Sequence, residues 1–74
     1  MAYDYRKLKG RIVEIYGKQQ LFALAMGWSE RTCSLKLSNR VVWKQPEITQ
    51  AAKLLKIKES EIQQYFFTTK VQQH

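Results

Sequence analysis

The chain has 74 residues, enough for one domain with a modest hydrophobic core. Thirteen Lys and Arg face six Asp and Glu, and the resulting formal net charge of +7 favours polyanionic partners such as nucleic acid or an acidic protein surface. A single cysteine excludes an internal disulfide framework and indicates a reducing compartment, the cytoplasm. The apolar runs are too short to span a membrane, and residues 1–5 lack the layout of a signal peptide.

The first two predicted helices are separated by a glycine. The first runs from about Asp4, whose carboxylate can cap it, to Tyr16, and Gly17 is expected to end it. Its apolar residues recur at helical spacing: Tyr5, Leu8, Ile12, Ile15 and Tyr16. The second helix is expected over about Lys18–Met26. Its predicted apolar side consists of Leu21, Phe22, Ala25 and Met26.

A third helix is expected from Glu30 to about Ser38. Ser29 is a suitable N-cap, and Cys33 and Leu37 lie four residues apart on one face. Residues 39–45 are predicted as a loop, and Pro46 suits the first turn of a fourth helix. The inward face of that helix is predicted to be Ile48, Ala51, Ala52 and Leu55.

The C-terminal part of the chain predicts a short fifth helix over about Glu59–Tyr65, with Ile62 facing inward, after a link at residues 56–58. Phe66 and Phe67 are expected to seal the core. The pattern therefore predicts an all-α, compact five-helix domain over residues 1–67. Residues 68–74 form a polar C-terminal tail, in which Val71 is the one candidate anchor for a short strand.

The stretch QQLFALAMGWS at residues 19–29 predicts a helix, a tight turn and a second helix. Ala23 is small where two helices cross, and Gly27 tolerates the positive φ of the turn. This combination and the five-helix layout resemble the lambda-repressor-like (Cro-like) helix-turn-helix family. Four further segments are similar to small temperate-phage Cro-like proteins and modulator-of-repression antirepressors: YDYRKLKGRI (3–12), SLKLSN (34–39), WKQPEI (43–48) and YFF (65–67).

The resemblance implies that the third helix reads base edges in the major groove of operator DNA. Its outward residues on a helical wheel would be Arg31, Ser34, Leu35 and Ser38, with Ser29 and Glu30 at its start. In the family, the position of Gln19 holds a phosphate, and Arg40 and Lys44 flank the reading helix as further phosphate contacts. Each assignment has a structural alternative: a solvated Arg31, a local cap at Gln19, and simple loop charges at Arg40 and Lys44. Cys33 and Trp28 are expected in the core rather than in a site.

Two departures from the family pattern suggest a protein partner instead. Lys36 occupies a position that is normally apolar, which predicts a rotated third helix, and Leu35 is expected to point away from the core. An exposed leucine beside Glu30 and Arg31 would suit a protein surface as well as a thymine methyl group. Val41, Val42 and Trp43 would either extend this patch or, as we expect for Val42 and Trp43, fold back onto the core.

Two functions remain open from the sequence. The first is a regulator of a phage lysis–lysogeny switch that binds double-stranded operator DNA as a homodimer through the helix from Glu30. The alternative is an antirepressor that uses the same helix to bind a phage repressor and block or redirect it. No enzyme, metal site, cofactor or small-molecule substrate is expected, because the sequence holds one His and one Cys and has no glycine-rich phosphate loop. No membrane partner is expected either, because the apolar stripe of the basic first helix is needed for the core. The expected location is the cytoplasm of the host bacterial cell.

Overall fold

A computed structural model describes residues 2–70, and within them the chain forms five α-helices and no β-strand. The helices are α1 (Arg6–Tyr16), α2 (Gln19–Met26), α3 (Glu30–Leu37), α4 (Gln45–Leu54) and α5 (Ile62–Phe66), with a turn of 3-10 helix (Glu59–Glu61) before α5. The predicted all-α, five-helix domain is confirmed. The expectation for Val71 lies outside the described residues.

The core is built from the inward faces of all five helices. Its most deeply buried side chains, each at most 2% exposed, are Leu8, Ile12, Phe22, Ala23, Cys33, Ala51, Leu55 and Phe66. Trp43, from the loop between α3 and α4, lies edge-on to Trp28 and to Phe66, with ring centroids 5.3 and 5.1 Å apart. This loop residue therefore packs the turn after α2 against the end of the domain.

The junction between α2 and α3 follows the local chemistry predicted for it. Gly27 adopts the left-handed conformation, with φ of 79°, and the Trp28 amide donates to the Ala23 carbonyl at 2.9 Å. This backbone bond satisfies a carbonyl at the end of α2 that would otherwise lack a partner. Ser29 then begins α3, since its Oγ accepts from the Thr32 amide at 3.1 Å.

Some boundaries and inward faces differ from those predicted. The first helix begins at Arg6 rather than at Asp4, although the Asp4 carboxylate still accepts from the Arg6 amide at 3.0 Å. The predicted fifth helix divides into the 3-10 turn and α5. Four apolar residues expected inside are exposed: Ile15, Leu21, Ala25 and Phe67. Short helices bury a narrow stripe, so a helical wheel places too many of their apolar residues inside.

The first and last described segments, residues 2–4 and 68–70, pair with each other beside α3. Tyr3 and Thr69 form an antiparallel bridge, the Asp4 amide donates to the Thr68 carbonyl, and the Lys70 amide donates to the Ala2 carbonyl. On the opposite edge of this pair, the Asn39 side chain accepts from the Tyr3 amide at 2.9 Å and donates to its carbonyl at 2.8 Å. Asn39 thereby ties the C-terminal end of α3 to these paired segments.

Candidate nucleic-acid or protein-binding surface

The inner face of α3 holds the helix against the domain. Cys33, Lys36 and Leu37 are buried, and α3 packs mainly against α2. Burial raises the pKa of the Cys33 thiol, which agrees with a packing role for this side chain. The predicted core position of Cys33 is confirmed.

The outer face of α3 carries the candidate binding residues. Glu30, Arg31, Ser34 and Ser38 are exposed, as the helical wheel predicts. Neither Glu30 nor Arg31 forms an ion pair within residues 2–70. The Ser38 hydroxyl donates to the Leu35 carbonyl at 3.2 Å, so part of its hydrogen-bonding capacity is already used. Leu35 is half-buried and therefore less accessible than its wheel position predicts.

The N-terminal end of α2 and the outer face of α3 together form a shallow groove of about 400 Å³. Its lining residues are Lys18, Gln19, Gln20, Glu30 and Ser34. The groove brings together three of the predicted site residues, Gln19, Glu30 and Ser34. Lys18 and Gln20 were not assigned from the sequence; their positions next to Gln19 at the helix start are the signal that identifies them.

The position of Lys36, where an apolar residue is expected, carries a charged side chain, but this side chain still points into the domain. The residue is 4% exposed, so its position faces inward like that of Leu37, and the predicted rotation of the helix is wrong. Its ammonium group donates to Glu47 Oε1 at 2.8 Å and to the Val42 carbonyl at 3.1 Å. The same group lies 5.2 Å from the centroid of the Trp28 ring. A buried lysine is tolerated here because each of these partners stabilises its charge.

Glu47, which is half-buried, completes this ion pair from the first turn of α4. Its Oε1 accepts from the Lys44 amide at 2.8 Å as well as from Lys36. Burial by itself would raise the pKa of Glu47, but the hydrogen bonds from Lys36 and Lys44 and their positive charges outweigh it, so the pKa is lowered. The pair fixes the distance between α3 and the start of α4, and with it the intervening loop.

The loop between α3 and α4 is only partly folded back onto the core. Trp43 is buried as predicted, and its indole Nε1 donates to the Lys36 carbonyl at 3.1 Å. Val42, also expected on the core, is instead 82% exposed. Only the backbone of Val42 is held to the domain, by the Lys36 ammonium that binds its carbonyl, and its side chain lies on the solvent side of the loop. Arg40 and Lys44 are exposed on either side of this apolar residue.

The described residues contain no cluster of three His, Cys, Asp or Glu side chains that could hold a metal ion. From α1 to α5, none of the helices is both long and apolar enough to cross a membrane. The binding residues predicted from the sequence lie on the outer side of α3, in the groove beside it and in the following loop.

Comparison with known proteins assigns the family. Residues 1–69 match the family described as "Protein of unknown function (DUF739)", and the chain belongs to that family. Among solved structures, it is similar to the modulator of repression (MOR) of the temperate bacteriophage TP901-1 from Lactococcus lactis. The two chains are 50% identical over 97% of each, with a TM-score of 0.81. No curated protein sequence matches the chain significantly.

This match confirms the part of the sequence resemblance that pointed to phage modulators of repression. The sequence left two functions open, with direct operator binding as the first and action on a phage repressor as the alternative. The match favours the alternative, regulation of a phage repressor.

Proposed function

We propose that this chain is a phage antirepressor with a lambda-repressor-like helix-turn-helix fold, which binds a temperate-phage repressor and blocks or redirects its binding to operator DNA. The observation that carries the proposal is the 50% identity, over nearly the full length of both chains, to a phage modulator of repression. The host bacterial cytoplasm is the compartment in which such a protein would act.

The outer face of α3 suits a protein partner. It combines one acid and one base that have no ion-pair partner within residues 2–70, Glu30 and Arg31, with the hydroxyl of Ser34 and the half-buried Leu35. A surface with both signs of charge around an apolar residue can be complementary to one protein while rejecting others. Glu30 would face the phosphates if the same helix entered a DNA groove, and its negative charge opposes that arrangement.

The charge of the chain argues against inhibition by DNA mimicry. A mimic of DNA presents acidic groups to the basic DNA-binding surface of a repressor, whereas this chain carries a formal net charge of +7. The contact with a repressor therefore depends on apolar packing and specific pairs rather than on imitation of phosphates. Binding at or near the reading helix of the repressor would then exclude operator DNA by steric overlap.

Direct operator binding is the second candidate, and the same positive charge favours it. Its support is the family resemblance, which assigns Gln19 at the start of α2 to a phosphate and the exposed Arg31 on α3 to a base, together with the positive charge of Lys18 beside Gln19. In this case the chain alone would bind DNA, as a monomer or a homodimer, with an affinity that falls steeply as salt increases.

Fluorescence anisotropy of a labelled operator separates the two functions. The TP901-1 repressor is first bound to its operator duplex, and this chain is then titrated in. An antirepressor changes the anisotropy of the repressor–operator complex and saturates at a defined stoichiometry, while the chain alone leaves the free duplex unaffected. Tight, salt-sensitive binding of the chain alone to one duplex would instead establish a DNA reader and overturn the proposal.

Variants assign the effect to α3. Arg31→Ala should weaken the action on the repressor–operator complex, and Lys53→Ala, at an exposed lysine late in α4, is the matched control. Equal loss in both variants would show a non-specific charge effect and remove α3 from the proposal.

A further inference from the structure

A second surface, distinct from the outer face of α3, brings exposed apolar side chains together. Val41, Val42 and Phe67 are all exposed and line one concave groove of about 440 Å³. Tyr3 and Trp43 contribute aromatic rings to the same groove. Other exposed apolar residues, such as Leu24 on α2, do not line it. A concave apolar site of this kind is typical of a pocket that receives a side chain of a partner.

The loop that carries Val42 is held in place before any partner binds. Lys36 Nζ donates to the Val42 carbonyl, and Trp43 Nε1 donates to the Lys36 carbonyl. The amides of Arg40 and Val41 both donate to the Leu35 carbonyl, at 2.9 and 3.2 Å. A rigid apolar loop loses little conformational entropy on association, so its contacts contribute more fully to affinity.

Arg40 and Lys44 directly precede and follow the groove residues Val41, Val42 and Trp43 in the chain, and we call these two basic residues the rim of the groove. Arg40 and Lys44 are exposed in the loop itself. Lys9 and Lys70 line a neighbouring groove that shares Tyr3, Tyr5 and Asn39 with the first one.

The carboxylates beside the groove are already paired. Asp4 binds Arg6 at 2.7 Å, and Glu47 binds Lys36 at 2.8 Å. An apolar floor with a basic rim is complementary to an apolar side chain flanked by carboxylates.

We propose that the groove formed by Tyr3, Val41, Val42, Trp43 and Phe67 is the apolar docking site of the repressor interface, and that it receives an apolar side chain flanked by acidic residues of the repressor. The inference rests on the proposed function and adds the site and the chemistry of the partner segment. The groove is continuous with α3, because the loop begins directly at its C-terminal end, so a single partner can contact both surfaces.

Two other occupants fit the groove less well. A second copy of this chain would bring a second basic rim and a second net charge of +7 against the first, and this repulsion opposes a symmetric contact. An anionic membrane would satisfy the basic rim. However, membrane-binding side chains protrude from a convex amphipathic surface, whereas Trp43 and Tyr3 lie in a concavity.

The test measures the dissociation constant of the purified full chain for the TP901-1 repressor by isothermal titration calorimetry. Val42→Gln removes the exposed apolar side chain without affecting the core, and Leu24→Gln is the matched control at a residue that is 75% exposed on α2. We expect Val42→Gln to raise the dissociation constant about tenfold and Leu24→Gln to raise it less than about twofold. Urea unfolding of both variants verifies that they remain folded.

The charged rim is tested with a second pair of variants. Arg40→Gln/Lys44→Gln should weaken the complex and reduce its dependence on salt, while Lys53→Gln/Lys58→Gln, the same charge change elsewhere on the surface, should leave the affinity nearly unchanged. If the repressor binds wild type and all variants equally, the groove is not its docking site, while the proposed function remains intact.

Two further results would overturn the inference. If wild type does not bind the repressor at all, both the proposed function and the groove as a repressor site are wrong. If Val42→Gln leaves repressor binding unchanged but abolishes co-sedimentation with phosphatidylglycerol vesicles, or abolishes a dimer detected by light scattering, the groove serves a membrane or a second copy.

Discussion

The two faces of α3 differ in how much of their side-chain chemistry is already used inside the molecule. On the inner face, Cys33 and Leu37 pack into the core, and the Lys36 ammonium has a carboxylate, a carbonyl and an indole ring as partners. On the outer face, Glu30 and Arg31 are exposed and form no ion pair within residues 2–70. One eight-residue helix thus separates the groups that stabilise the fold from those left free for a partner.

This separation has a practical consequence for substitutions. Changes on the inner face should reduce stability and affect binding only through loss of the folded state. Changes on the outer face should leave stability nearly unchanged and affect binding directly.

The largest expected effect is at the ion pair between the buried Lys36 and the half-buried Glu47. Glu47→Ala leaves the Lys36 ammonium with only the Val42 carbonyl as a hydrogen-bond acceptor and also removes the acceptor for the Lys44 amide. We expect it to lower the free energy of unfolding by about 3 kcal/mol, since an uncompensated buried charge is strongly destabilising. Urea unfolding followed by far-UV circular dichroism measures the change.

Glu61 provides a matched control for this substitution. Its Oε1 accepts from the Lys58 amide at 3.2 Å in the same way as Glu47 accepts from Lys44, but it pairs with no cation among the described residues. Glu61→Ala should therefore cost only about 1 kcal/mol, the usual value of a cap. If Glu47→Ala and Glu61→Ala lower the free energy of unfolding equally, Glu47 stabilises the fold only as a helix cap and its ion pair with Lys36 makes no further contribution.

A smaller effect is expected at Asn39, which joins the end of α3 to the paired segments. Asn39 has a φ of 66° and forms two hydrogen bonds with the Tyr3 backbone. Asn39→Ala loses both bonds and adds left-handed strain, so we expect a loss of about 2 kcal/mol. Asn39→Gly keeps the backbone conformation and should lose about 1 kcal/mol. If Asn39→Ala and Asn39→Gly lower the free energy of unfolding equally, left-handed backbone strain makes no contribution.

Stability should also decrease in acid. The pKa of Asp4 is lowered from 3.8 to about 2, chiefly by its side-chain and backbone hydrogen bonds with Arg6, and the pKa of Glu47 is lowered from 4.5. A lowered pKa means that the stabilisation is complete above the unfolded-state value and is lost as the pH falls through the folded-state value. The free energy of unfolding should therefore fall as the pH drops from 4.5 towards 2. Urea titrations at each pH should show a shallower fall in Glu47→Ala, and an unchanged slope would exclude Glu47 as the source.

The fold was largely predictable from the sequence because its signals are local. Gly17 and Gly27 end helices, Ser29 caps α3, and Ile48 with Ala51 forms a helical stripe, and each of these depends on neighbouring residues alone. The errors concern residues whose environment depends on distant parts of the chain. Leu21 and Ile15 are exposed because nothing covers that side of their helices within residues 2–70, which their spacing cannot reveal.

The candidate site was less predictable than the fold. The polar outer face of α3 follows from helical periodicity, but the partner of Lys36 is eleven residues away on another helix, and no local pattern identifies Glu47. The Lys36 ammonium also binds the Val42 carbonyl while the Val42 side chain stays exposed, and neither feature follows from the neighbouring sequence. The apolar groove therefore became visible only from tertiary contacts.

The smallest expected change in stability is on the outer face of α3, where the division between the two faces is tested most directly. Arg31 is exposed and forms no ion pair in the described part of the chain, so Arg31→Ala should change the free energy of unfolding by less than about 0.5 kcal/mol. The same variant should weaken binding to the TP901-1 repressor measurably by calorimetry. Loss of binding with intact stability supports an outer face reserved for a partner, because removal of a solvated arginine would alter neither quantity. A loss of stability instead would mean that the two faces of α3 are not independent.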